Sequence, residues 1–334
     1  MTSLHNAWRT FWFRPEPAYT LGLVRIAFGI LSIAWTVSFF VDLPDLFGDN
    51  GVLPDGTRQP NAWSLFQLWS TDRALLIGWC VLLLSALAMT FGWHTRTASI
   101  LLCVLILSFQ HRDPSAFNSG DVVIRIEALF LALAPSGAAL SLDQRRRTGA
   151  FWSAQIRAPW AIRLMQLQLS VIYLASVRWK ISGTTWQDGT AVSYALRLKD
   201  MLIVPIPQWF IENPLLINIA TWSALAVELS LGVLVWNRLL RPWVLLAGVL
   251  MHTSIMLTLG VGFFTPAMFV LYLAFVPADR VRDLPQSLRL RFSSSRRVSP
   301  PPESTDTPTS TSTETSPLPA TPATRLLPST PGRS

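Results

Sequence analysis

Charge is what this chain has least of. Only 14% of its 334 residues are Asp, Glu, Lys or Arg. A soluble domain carries roughly 25%, so the shortfall excludes an ordinary soluble fold. Cysteine is nearly absent. Cys80 and Cys103 fall inside apolar runs, with no CxxC pair and no disulfide framework. The four histidines, His5, His94, His111 and His252, have no metal-ligand spacing, so no metal is expected. No P-loop, GxGxxG, GxSxG or HExxH motif occurs. The short alternating segments of a membrane β-barrel are missing as well. Residues 1–20 lack a compact apolar core before a small-residue cleavage site, so no removable signal peptide is expected.

What is present is apolar length. Hydrophobic residues make up 51% of the chain, with 15 Trp and 18 Phe. Several runs approach the roughly 20 residues that a bilayer demands. The pattern predicts a polytopic all-α membrane bundle of about eight transmembrane helices, near 21–41, 74–91, 97–110, 122–139, 161–178, 214–236, 242–259 and 262–276. The third and eighth are short. Residues 59–70 read as an amphipathic helix lying along the interface. Three parts follow: an N-terminal segment 1–20, a membrane domain 21–280 and a tail 281–334. The tail is basic at first and then rich in Ser, Thr and Pro from Ser293, a composition that favours disorder.

Loop charge gives an orientation. Loop 42–73 holds Asp42, Asp45, Asp49, Asp55 and Asp72. Arginine gathers instead in loop 140–160 (Arg145, Arg146, Arg147, Arg157), in loop 237–241 (Arg238, Arg241) and after the last span (Arg280, Arg282, Arg289, Arg291, Arg296, Arg297). Placing the arginine-rich loops inside makes both termini cytoplasmic in an inner (plasma) membrane. The net charge of +8 then reflects these loops rather than a nucleic-acid partner. The partner expected from composition is the lipid bilayer.

Ionisable groups inside lipid are expensive and tend to be functional. Lys180 closes the fifth span at its outer end, between Trp179 and Trp186. An amine there suits either a base of lowered pKa or an ordinary lysine snorkelling to the headgroups. Arg25, Arg125, Glu127 and Glu228 also fall within spans, where buried ion pairs would fix the packing. Asp121 and Arg125 share a helical face. His252 lies well inside the seventh span, as a hydrogen-bonded packing residue or a catalytic one. Asn118 and Asp121 have the type and position of helix caps.

Four stretches together resemble the HTTM (horizontally transferred transmembrane) domain family, which includes the membrane part of vitamin K-dependent γ-glutamyl carboxylase. They are Arg112–Asp113–Pro114–Ser115–Ala116–Phe117–Asn118; Ser141–Leu142–Asp143 before the arginine run; Arg163–Leu164–Met165–Gln166 through Tyr173 to Lys180, Trp186 and Gly189; and Glu228–Leu229–Ser230–Leu231–Gly232 with His252 downstream. The resemblance implies that Lys180 is a base toward a reduced quinone, that Asn118 orients that chemistry, and that His252 matches the family's histidine. This chain departs from the carboxylase in three places. Gly120 stands where the carboxylase has a histidine, and Trp179 where it has a second lysine. Only the basic stretch and tail follow the last span, so no platform for a protein substrate is expected.

Three functions remain open on the sequence. The first is a membrane enzyme, carboxylase-like or quinone-dependent, acting on a lipophilic substrate with Lys180 as base and Asn118 and His252 positioning. The second is a non-catalytic factor assisting export or maturation of a secreted peptide or partner protein. The third is a small-solute transporter, motivated by the intramembrane charges.

Overall fold

The computed structural model describes residues 2–48, 51–52, 63–69 and 71–285. Asp49, Asp55, part of the expected interfacial helix and the whole Ser/Thr/Pro-rich tail lie outside the described residues.

Helix dominates the described chain. The principal elements are α1 (Thr2–Phe13), α2 (Tyr19–Ser38), α3 (Asp72–Phe91), α4 (Thr95–Arg112), α5 (Ser119–Leu133), α6 (Trp160–Ile181), α7 (Pro214–Val233), α8 (Arg241–Thr258) and α9 (Phe264–Leu273). Their ends follow local chemistry. Thr71 caps α3 and Asn213 caps α7 through side-chain oxygens. Gly92 ends α3 in the left-handed region, and Pro242 occupies the first turn of α8.

Four helices are long and apolar enough to cross a bilayer: Tyr19–Ser38, Asp72–Phe91, Trp160–Ile181 and Pro214–Trp236. A fifth results if α9 and Ala278–Pro285, bent by 93°, form one broken span. The chain is therefore a multi-pass helical membrane protein. The other expected spans coincide with helices that do not reach that standard. One reason is visible at α5. The expected span 122–139 stops at Leu133 because Ala134 is extended before Pro135, whose ring disfavours helix in the preceding residue. Residues Ser136–Ala138 then form a 3-10 turn. The described part of the expected interfacial helix is likewise one 3-10 turn, Leu65–Gln67, with Phe66 buried.

The burial pattern suits lipid. Ile77, Leu84, Val171, Leu215, Ile219 and Leu250 are exposed, while Val24, Phe28, Leu82, Met89 and Leu131 fill the interior. Helices α2 to α5 pack in chain order, and α6 packs on α7 and α7 on α8. Helix α9 touches α2, α5, α6 and α8, and so joins the two groups. A short antiparallel pair, Glu16–Pro17 with Ile156–Arg157, ties the start of α2 to the start of α6.

The Ser141–Leu142–Asp143 stretch serves this framework. Ser141 Oγ accepts from Gln144 N at 2.9 Å and caps the turn of helix that follows. Asp143 caps a different helix, α4, accepting from His94 N (3.0 Å), Thr95 N (2.8 Å) and Thr95 Oγ1 (2.7 Å). Arg112 similarly pins two loops, donating to the carbonyls of Phe47 and Phe66.

Candidate functional site

One face of α6 carries a polar stripe. Arg163, Gln166, Ser170, Tyr173, Ser176 and Lys180 follow one another at intervals of three or four residues, which keeps them in line down a helix. Each has a partner on another element. Gln166 donates to the Ala274 carbonyl at 2.7 Å, and Ser170 accepts from Trp236 Nε1 at 2.9 Å. Ser176 donates to Glu228 Oε2 at 3.1 Å. At the end of the stripe Lys180 Nζ donates to Glu228 Oε1 on α7. The same ammonium sits 4.6 Å above the centre of the Trp186 ring. The Lys180 and Glu228 side chains are only 26% and 10% exposed, so the pair is largely removed from solvent.

About two turns further into the membrane, Tyr173 bridges α8 and α9. Its hydroxyl lies 2.7 Å from His252 Nε2 and 2.5 Å from the Tyr272 hydroxyl. A hydroxyl has one proton to give. If Tyr272 donates to Tyr173 and Tyr173 to His252 Nε2, then Nδ1 of a neutral imidazole carries the hydrogen. In the reverse direction Nδ1 is an acceptor. Nδ1 is buried and has no hydrogen-bond partner among the described residues. His252 Nδ1 is therefore a free ring position whose role is set by the direction of the network. Lys180 is within electrostatic reach of His252, and Glu228 of both tyrosines. Gly248 makes the network possible. A Cβ there would come within 2.6 Å of the Tyr272 hydroxyl, so only glycine lets α8 approach so closely.

Asn118 is placed apart from this pair. It caps α5, accepting from Gly120 N at 2.7 Å, while Asp121 Oδ2 accepts from Asn118 N at 2.7 Å, which completes a capping box. No hydrogen bond or ion pair joins Asn118 to Lys180 or His252 among the described residues. Its nearest link is through Phe264. Gly120 lies against the Phe264 backbone, where a Cβ would meet Cα and N at 2.5 Å, and the Phe264 ring centre is 5.6 Å from that of His252. The position that differs from the carboxylase is thus filled by the start of α9. Asn118 Nδ2 faces the turn before α9 at Gly262.

The HTTM domain family is matched over residues 13–279 of this chain. The chain belongs to the HTTM family. No curated protein and no solved structure matches it. The HTTM match covers α2 to α9, together with the Lys180–Glu228 and Tyr173–His252–Tyr272 groups.

The other intramembrane charges of this HTTM chain do not pair as expected. Glu228 takes Lys180 rather than an arginine. Arg25 donates to the Leu140 carbonyl at 2.5 Å, and Arg125 meets His111 Nε2 at 3.0 Å. Asp121 accepts from Trp35 Nε1 at 2.6 Å and does not bond Arg125, although the two share a face. Both oxygens of Glu127 are buried with no hydrogen-bond partner among the described residues. Ser176 and Tyr272 belong to the site and were not singled out from the sequence, where Tyr173 was named only as part of a family-like stretch and given no role. The signal was present in α6 itself, where Gln166, Ser170, Tyr173, Ser176 and Lys180 repeat at helical spacing through an apolar run. Tyr272 gives no such signal, because its role depends on how α9 folds back.

Proposed function

We propose that this HTTM protein is a membrane enzyme acting on a reduced quinone or another lipophilic substrate, with Lys180 as the proton-accepting group. The observation that carries the reading is the meeting of Lys180, Glu228, Ser176 and the Tyr173–His252–Tyr272 network at one end of α6. This end is taken to face outward, with both termini on the cytoplasmic side of the inner membrane, as the expected eight-span arrangement would have it. The gathering of Arg157, Arg163, Arg238, Arg241 and Arg280 at the opposite end of the bundle supports that orientation.

The residues suit a hydroxyl-bearing ring. His252 Nδ1 is a buried polar atom with no partner, and Phe264 and Phe269 flank its imidazole. When bound, a reduced quinone would supply the reducing equivalents and an acidic hydroxyl. The chain's own part is proton handling. Glu228 takes the ammonium proton of Lys180, and the freed amine accepts a proton from the substrate side. Ser176 holds the second oxygen of Glu228 in place, and Trp186 covers the amine. His252 and the two tyrosines orient the substrate hydroxyl. Asn118 acts at a distance, by holding the start of α5 against Phe264.

The Lys180–Glu228 pair also favours a second reading. A closed ion pair between α6 and α7 suits a helix pin in a non-catalytic factor that assists export or maturation of a secreted peptide. Binding of a reduced naphthoquinone to the purified protein between pH 6 and pH 10 separates the two. Under the enzyme reading the wild type binds with a pH dependence that Lys180→Ala abolishes, with folding of the variant checked by gel filtration. Absence of binding to well-folded wild type removes the enzyme reading, and cross-linking to a secreted peptide would then support the factor.

A further inference from the structure

A cavity of about 540 Å³ opens at the far end of α6 from Lys180, seventeen residues and about 26 Å away along the helix. It is walled by the Glu16–Arg157 strand pair, the starts of α2, α6 and α8, and the turn after α9. Five arginines line it, namely Arg157, Arg163, Arg238, Arg241 and Arg280, against two carboxylates, Glu16 and Asp279. Asp279 turns away to Arg282 at 3.2 Å. Glu16 reaches Arg163 at 3.3 Å. Three sequence-distant segments thus bring like charges together, with one carboxylate, Glu16, facing them.

The arginines are not used up by the protein. Arg238, Arg163 and Arg280 all act on Arg241 as like charges. Arg241 spends Nε on the Val235 carbonyl at 3.0 Å and Nη2 weakly on that of Trp236 at 3.5 Å. Arg163 Nε is buried with no hydrogen-bond partner among the described residues. Arg238 and Arg280 are exposed. Mutual repulsion of this kind is relieved by an anion with several oxygens, and guanidinium groups match phosphate in particular. The rest of the wall is mostly apolar, with Leu21, Ile162, Leu245 and Phe275 beside the polar Thr20 and Gln166. The space is far larger than one inorganic phosphate fills, and it adjoins the ends of membrane helices.

We propose that this cavity binds the phosphate of an anionic phospholipid headgroup. The guanidinium groups hold the phosphate, and the apolar wall receives the glycerol and the upper acyl carbons. The same phosphate chemistry is available from free phosphate, and the experiment distinguishes the two sources. The full chain is purified into phosphatidylcholine and titrated with phosphatidylglycerol, with bound lipid counted by native mass spectrometry. Arg238→Gln/Arg280→Gln tests the site without touching a group that holds the fold, and Arg163→Gln tests the half-buried guanidinium. Arg145→Gln/Arg146→Gln removes equal charge from an exposed helix outside the cavity.

The expected result is retention of phosphatidylglycerol over phosphatidylcholine by wild type and by Arg145→Gln/Arg146→Gln. Loss of that preference by tenfold or more is expected in both cavity variants. Equal binding of the two lipids by wild type overturns the proposal. So does an unchanged preference in Arg238→Gln/Arg280→Gln, or an equal loss in the control, which would indicate general surface attraction. Inorganic phosphate that displaces the lipid at equal concentration overturns the lipid as the source.

Discussion

The two ends of α6 are built from the same parts and behave differently. Each has a cation, a carboxylate and an aromatic ring. Lys180 meets Glu228 beside Trp186, and Arg163 meets Glu16 with Phe11 5.2 Å away. At the Lys180 end the carboxylate is nearly buried, and a second donor, Ser176, shares it. At the Arg163 end Glu16 is 45% exposed and faces four further arginines. The first is a closed pair next to a hydrogen-bonded network. The second has positive charge in excess. What decides between them is the number of like charges gathered around the pair and its burial, rather than the presence of a salt bridge.

The largest effect is expected from opening the closed pair. Glu228→Ala leaves an ammonium in a largely buried position, which costs about 3 kcal/mol or more. Chemical unfolding in detergent should show this, and Lys180→Met/Glu228→Leu should recover most of it. If Glu228→Ala is silent, the pair is solvated and the contrast between the ends disappears.

Gly248→Ala comes next. The added methyl would press on the Tyr272 hydroxyl from a helix backbone, an overpacking cost of about 1–3 kcal/mol. The Tyr173–His252–Tyr272 network should loosen with it. A drop in thermal stability together with weaker quinone binding would sharpen the account. Unchanged binding would separate the network from the substrate.

Asp143 gives a smaller, pH-dependent effect. Burial alone would raise its pKa, but the hydrogen bonds from Thr95 and His94 outweigh burial and hold the carboxyl below its ordinary value. A lowered acid gives stability that is present above the unfolded value, near pH 4, and lost as pH falls through the folded one. Asp143→Asn should cost about 1 kcal/mol at pH 7 and flatten the loss of stability below pH 4, measured by thermal unfolding. An acid limb as steep as that of wild type would show that Asp143 is not its source.

The smallest effect belongs to the open end. Arg238 is exposed and surrounded by its own sign, so Arg238→Gln should change stability by less than about 0.5 kcal/mol. A large loss in the same unfolding assay would mean that the arginines hold the fold rather than a ligand.

Much of this was legible in the sequence. The apolar runs located the helices, and Asn118 and Asp121 had the look of a cap and form one. Lys180 stood out because it closes an apolar run between tryptophans. Its pairing did not, because Glu228 is forty-eight residues away and only the packing of α7 on α6 brings that carboxylate to Lys180 rather than to an arginine. The stop of α5 at Leu133 was foreseeable from Pro135. The start of α9 against Gly120 was not, because it depends on a contact between distant elements. The arginine loops were legible as an orientation signal, yet their convergence on one cavity required the fold.

The most direct measurement is a pair of double-mutant cycles in detergent, one on Lys180 and Glu228 and one on Arg163 and Glu16. A closed buried pair predicts a coupling of about 2 kcal/mol or more for the first. A half-exposed pair among like charges predicts less than about 1 kcal/mol for the second. Equal couplings, or a stronger one at Arg163, would contradict the distinction on which the candidate site and the cavity both rest.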